Sequence, residues 1–149
     1  NGLLSLLRQP DQWDLLRDDP ALIRPAVEEL LRYESPVQIT ARYVAEPIEL
    51  PQKTLESGVF ATLLLAAANR DPRQFENPDA LDVTRRPNRH LSLAHGPHFC
   101  LGAPLARAEG QIAIGRVIER FPNLQLVSEV PDWRYNPGFR GLSTLHVRA

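Results

Sequence analysis

Residues 69–99 hold Pro72, Pro78, Pro87 and Pro97 and show no sustained apolar period. Proline fixes φ and lacks a backbone donor, so each of these positions resists the interior of a helix or a central strand. Ordered connections longer than about 12–15 residues are uncommon unless they carry a site or form a functional lid. The chain is therefore expected to pack regular elements on both sides of a long loop, and that loop demands a functional explanation.

The flanks are readable from period and punctuation. Leu3, Leu4, Leu6 and Leu7 make a short apolar opening suited to the end of one long helix and its exit. Residues 11–17 read as a short helix stopped near Asp18-Asp19-Pro20, and 25–34 as a helix with Pro25 in a first-turn position and Val27, Leu30 and Leu31 as its apolar stripe. Residues 37–50 favour two short strands broken near Glu46-Pro47, with another strand around Lys53–Leu55. The alanines and leucines of Val59–Ala68 favour helix. The apolar pattern resumes as a helix over roughly 103–121, closed by Pro122, and short strands are expected near 124–127 and 142–147. The expected fold class is mainly α with small β sheets, an α+β arrangement. With 149 residues, 43% of them hydrophobic, the chain can fill one modest core, so residues 1–149 read as one unit.

Seventeen basic residues against eighteen acidic ones leave a formal charge of -1, which gives no general argument for nucleic acid or an anionic membrane as partner. No apolar run of about 18 residues and no basic-then-apolar leader is present, so a cytoplasmic location with no membrane contact is expected. The chain has no methionine and starts Asn1-Gly2, which fits a fragment or a processed product.

Cys100, the only cysteine, follows the proline-rich stretch directly. It can close no internal disulfide, and without a second soft ligand nearby it does not make a structural zinc site. Three readings remain: a buried bystander, a reactive thiol, or one axial ligand to a cofactor that brings its own other ligands. Haem is such a cofactor, because the porphyrin supplies four nitrogens.

Several motifs occur in one order along the chain. Glu29-Leu30-Leu31-Arg32 places a carboxylate and a guanidinium three residues apart, on neighbouring helical positions, although Glu28, four residues before Arg32, could equally make a simple solvent-facing pair. Asn69-Arg70-Asp71-Pro72 continues through Phe75 and Pro78 to Leu81-Asp82-Val83-Thr84-Arg85. Leu93, Gly96, His98, Cys100 and Gly102 then frame the cysteine, followed by Ala103-Pro104-Leu105-Ala106-Arg107 and Glu109. Together these segments resemble the C-terminal part of bacterial soluble cytochromes P450, from the end of helix I through helices J, K and K′, the haem-binding loop and helix L. The loop pattern of that family is Phe-x-x-Gly-x-Arg/His-x-Cys-x-Gly, and Leu93 stands here where the family has phenylalanine.

The resemblance implies haem b, iron protoporphyrin IX, with Cys100 as its proximal iron ligand. Arg42 and His98 would meet the haem propionates, and Gly102 and Ala103 would begin a helix close beneath the porphyrin. Glu29, Arg32 and Arg85 would form an architectural network, with Arg86 as the rival of Arg85. His90 is either a residue of the haem edge or backbone cap or an ordinary loop histidine, and His95 is not expected on the iron. Arg107 is either a contact for an electron donor or an exposed helix charge. Residues 37–40 would wall a substrate pocket or simply pack as strand.

For a complete parent the resemblance implies a monooxygenase oxidising a small organic substrate, with electrons from a ferredoxin or flavodoxin-type donor and its reductase. It places no catalytic residue in this chain, because the distal helix with its acidic residue and threonine would precede Asn1. A non-catalytic haem-binding or interaction module, or a structural fragment that self-associates through exposed core surface, is the alternative.

Overall fold

The computed structural model describes residues 1–128 and 130–149. Helices α1 (Gly2–Leu7), α2 (Pro10–Asp18) and α3 (Ile23–Tyr33) follow one another closely, and after the long loop comes α5 (Ala103–Arg120), with α4 (Leu65–Ala68) a single turn between strands and loop. Pro10 opens α2 and Pro104 lies in the first turn of α5, where the missing N–H has no intrahelical partner to lose. Leu6, Trp13, Leu16, Ala26, Leu30 and Ile118 form one apolar cluster, which Leu81 and Val83 of the loop and Leu124 complete. The loop is thus part of the core as well as a connection. Trp13 Nε1 donates to Pro122 O at 3.0 Å, tying α2 to the exit of α5.

Helices α3 and α5 meet at Gly110, where an added Cβ would stand 3.0 Å from Val27 Cγ1. The missing side chain sets the approach of the two helices, because ordinary van der Waals separation needs more room.

Among the described residues the strands form four antiparallel pairs. β1 (Thr40–Tyr43) pairs with β4 (Phe60–Leu63), in register Thr40 to Leu63, and β2 (Ile48–Glu49) pairs with β3 (Thr54–Leu55). Near the C-terminus β5 (Gln125–Leu126) pairs with β8 (Val147–Arg148), and β6 (Asp132–Trp133) with β7 (Leu142–Thr144) inside that pair.

The helix expected over Val59–Ala68 is corrected. Phe60–Leu63 is strand, and only Leu65–Ala68 turns helical. Gly58, at φ +91, reverses the chain so that the next residues run back along β1. Ladder hydrogen bonds and side-chain pairing across the strands, including the edge-on Tyr43–Phe60 contact at 5.6 Å, override the helix propensity of a short alanine–leucine run. The stretch expected as a single strand over 142–147 divides into β7 and β8.

Candidate functional site

Residues 69–102 contain no strand and no α-helix, only a 3₁₀ turn at Gly96–His98. Side chains take over the satisfaction of the loop's backbone, and the largest contribution comes from Glu29 and Arg32. Both side chains are fully buried. Arg32 donates through Nε and Nη2 to the Glu29 carboxylate at 2.8 and 2.7 Å. Its remaining hydrogen bonds go to the carbonyls of Asn69, Pro78 and Ala80 at 2.8–3.0 Å. Glu29 in turn accepts from Asp82 N, Arg85 Nε and Asn88 Nδ2 at 3.0–3.1 Å. Arg85 therefore joins the pair, and Arg86 stays exposed on the surface. The i, i+3 spacing on α3 supplies the bidentate pair, and the loop wraps around it.

Glu28, one residue earlier, faces another way and takes different partners. Arg107 on α5 binds it through Nε and Nη2 at 2.7 and 2.8 Å, and His90 Nε2 lies 3.1 Å from the same carboxylate. His90 Nδ1 accepts the Ser92 N–H at 3.2 Å, so the proton belongs on Nε2, which donates to Glu28. Arg107, with His90 second, holds the Glu28 carboxyl down at about 2, against the opposing effect of burial. Arg107 is thus an internal strut between α3, α5 and the loop, which corrects its reading as a simple exposed helix charge. His90 is nearly buried and braces backbone.

These struts lead to Cys100. Cys100 N donates to Leu93 O at 2.9 Å, closing the loop over Gly96, whose φ is +73. Leu93 is buried beneath it, while Cys100 is an exposed free thiol. Gly102 lies beside the sulfur, where an added Cβ would stand 3.8 Å from Sγ, an ordinary van der Waals contact. Ala103 is buried and starts α5, so the positive end of an 18-residue helix lies at the cysteine, with no acidic residue in its first turn. Phe99, Leu101 and Leu105, close to Cys100 in the chain, expose apolar surface, Leu101 at 99% of its full exposure.

The other site residues expected from sequence form no hydrogen bond or ion pair with Cys100, although His98 belongs to the turn just before it. His98 and His95 are exposed on the loop. Arg42, on β1, is half-buried and donates to Thr40 Oγ1 and Ala41 O of its own strand at 2.9 and 2.8 Å. Val37 bridges to Phe139, and Ile39 is exposed. Sequence reasoning passed over Ser35 and Ser92 and gave Asn69, read only as the start of a segment, no role, yet these are three buried polar residues whose side chains meet. Small polar residues carry no periodic signal that would have singled them out.

Among the described residues no three His, Cys, Asp or Glu side chains converge as a metal site. A single accessible thiol, with a helix N-terminus behind it and apolar surface in front, suits a flat apolar cofactor that brings its remaining iron ligands. No helix among the described residues is long and apolar enough to cross a membrane.

Known proteins share this arrangement. A family model described as Cytochrome P450 matches residues 8–145. The chain is 52% identical over 149 residues to a biotin biosynthesis cytochrome P450 of Bacillus subtilis (strain 168), a match covering 99% of this chain and 37% of that protein. It is 43% identical to the cytochrome P450 monooxygenase PikC of Streptomyces venezuelae, over 99% of this chain and 36% of that protein. Among solved structures, the tirandamycin C-bound P450 monooxygenase TamI superposes with a TM-score of 0.95 at 44% identity, over 99% of this chain and 38% of its own. The chain spans under two-fifths of the length of these relatives. With the family match running from residue 8 to residue 145 and the backbone following a solved member throughout, this chain belongs to the cytochrome P450 family.

Proposed function

We propose that residues 1–149 are the C-terminal part of a haem-thiolate monooxygenase and that they supply the proximal half of its haem site. The observation that carries this reading is the exposed Cys100 thiol at the start of α5, in a loop held from behind by Leu93 O. Haem is the cofactor of the family's members. Bound here, it supplies the activation of dioxygen and the transfer of one oxygen atom to an organic substrate.

The chain's own residues hold and orient that group. Cys100 Sγ would be the iron ligand that this chain supplies, at the N-terminus of α5. Gly102 and Ala103 let the porphyrin lie close to the helix start. His98 and Arg42 would carry the donors for the two propionates. Leu93, Phe99 and Leu101 would supply apolar surface on the cysteine side of the bound group. Glu29, Arg32 and Arg85 keep the loop in register behind it. Catalytic residues that deliver protons on the distal side belong to other parts of the parent.

The parent acts on a small organic molecule in the cytoplasm and receives electrons from a ferredoxin or flavodoxin-type donor with its reductase. Relatives named for biotin and polyketide biosynthesis support the substrate class. One solved relative is described in complex with an acyl carrier protein bearing a fatty acid, which supports a carrier-borne substrate as one form.

The test is the ferrous–CO difference spectrum of the haem-loaded protein beside its Cys100→Ala variant. A strongly red-shifted, cysteine-dependent band is expected. A spectrum unchanged by Cys100→Ala would overturn the assignment of the ligand.

A further inference from the structure

We propose that Asn69 is a positioning residue for the Cys100 ligand, coupling the buried Glu29–Arg32 ion pair to the backbone that holds the thiolate; this rests on the haem-thiolate reading. Asn69 is completely buried at the end of α4. Its main chain belongs to the ion-pair network, because its carbonyl accepts from Arg32 Nη1 at 2.9 Å. Its side chain belongs to the cysteine loop. Oδ1 accepts the Leu91 N–H at 2.7 Å, and Nδ2 donates to Ser92 Oγ at 2.8 Å and to Ser35 Oγ at 2.7 Å.

The proton count closes around these three side chains. The two Nδ2 protons go to the two hydroxyls. Ser92 Oγ donates to Leu31 O at 2.6 Å, and Ser35 Oγ, 2.9 Å from Ser92 Oγ and 3.0 Å from Leu31 O, has an acceptor on either side. Every polar atom of the cluster is satisfied, which makes a buried network rigid and costly to disturb. Only a carboxamide meets this demand: a carboxylate accepts from Leu91 and loses both donations, and a hydroxyl offers a single proton.

The pinned segment is the one that receives the cysteine. Leu91 N is held by Asn69 and Ser92 N by His90, and the carbonyl of Leu93, one residue further on, accepts Cys100 N at 2.9 Å. Asn69 therefore sets where that carbonyl stands, and with it the position and hydrogen bonding of the ligand's own amide. It touches neither haem nor substrate, and it acts through Ser92 and Leu93.

The experiment compares Asn69→Asp and Ser92→Ala with the parent protein. Ferrous–CO spectra are recorded on the haem-loaded protein, and amide hydrogen exchange on the haem-free protein. Asn69→Asp is expected to retain haem while moving a large fraction of the CO complex out of the red-shifted thiolate band. It is also expected to raise exchange at Leu91 and Cys100 at least about tenfold over the rise at Leu30 and Ile118 in the core. Ser92→Ala, which leaves the Leu91 contact intact, is expected to shift both readouts the same way by a smaller factor, and it decides the matter if Asn69→Asp fails to fold. Exchange that rises equally at loop and core amides, or not at all, would overturn the proposal, because a purely structural role predicts the uniform pattern. The exchange arm needs no haem, so failure of the haem reading shows separately, as a red-shifted band that Cys100→Ala leaves in place.

Discussion

Replacing Glu29 by glutamine keeps the shape and removes the charge, and the structure sets out the consequence donor by donor. Oε1 accepts from Arg32 Nη2, Asp82 N and Arg85 Nε, while Oε2 accepts from Arg32 Nε and Asn88 Nδ2. The amide nitrogen will settle at the Oε2 place, where it opposes two donors instead of three. Two N–H groups are then orphaned, and the buried Arg32 charge loses its counter-charge. Breaking one side of a buried pair costs roughly 3–5 kcal/mol. Against a total stability of about 5–15 kcal/mol, that removes a large share of what holds the fold.

With a urea slope of about 2 kcal/mol per molar, the unfolding midpoint followed by circular dichroism should fall by about 2 M. A second variant sharpens the reasoning. Buried ion pairs can often be exchanged for apolar residues without loss, yet Glu29→Leu with Arg32→Met would strip the carbonyls of Asn69 and Pro78 of their donor, at about 1–3 kcal/mol each, and leave Ala80 O with Arg85 Nη2 alone at 3.3 Å. The double variant should therefore be no more stable than Glu29→Gln. A midpoint shift under about 0.5 M for Glu29→Gln, or a double variant close to the parent, would refute the account.

The Glu28 carboxyl, at about 2 in the fold against an ordinary 4.5, contributes stability that is present above about pH 4.5 and lost as pH falls toward 2. The shift corresponds to about 3 kcal/mol before solvent screening, and with Arg107 a third exposed about 1 kcal/mol is expected; melting curves between about pH 6 and pH 2.5 should show an acid loss that Arg107→Gln flattens, and equal slopes in both proteins would count against the strut. Gly110→Ala brings Cβ to 3.0 Å from Val27, so overpacking of about 1–3 kcal/mol should outweigh a helix-propensity gain of up to about 1, and a lowered melting temperature restored by adding Val27→Ala would bear this out. Ala94 holds φ +60, a left-handed conformation that costs a side-chain-bearing residue about 1–2 kcal/mol, so Ala94→Gly should raise the urea midpoint slightly, and a lowered midpoint would contradict the strain.

Much of this protein was legible before any coordinates. The helices at Pro10–Asp18, Ile23–Tyr33 and Ala103–Arg120 fall where apolar period and proline punctuation put them, because those signals act within a turn or two of backbone. Fixed spacing also exposed the Glu29–Arg32 pair and the loop around Cys100. Partner choice was a different matter. Whether Arg85 or Arg86 reaches Glu29, and whether Glu28 meets solvent or Arg107, depends on contacts 56 and 79 residues apart in the chain. The strand at Phe60–Leu63 exists because β1 lies beside it, against the local helix propensity. Asn69, Ser35 and Ser92 have value only where three segments converge and their donors and acceptors balance. Sequence alone determined the proline-bounded helices and the spacing of Glu29, Arg32 and the residues around Cys100; tertiary structure decided the strand at Phe60–Leu63 and which charges and amides face each other, since a hydrogen bond tests separations of a few tenths of an ångström that only the packed chain defines.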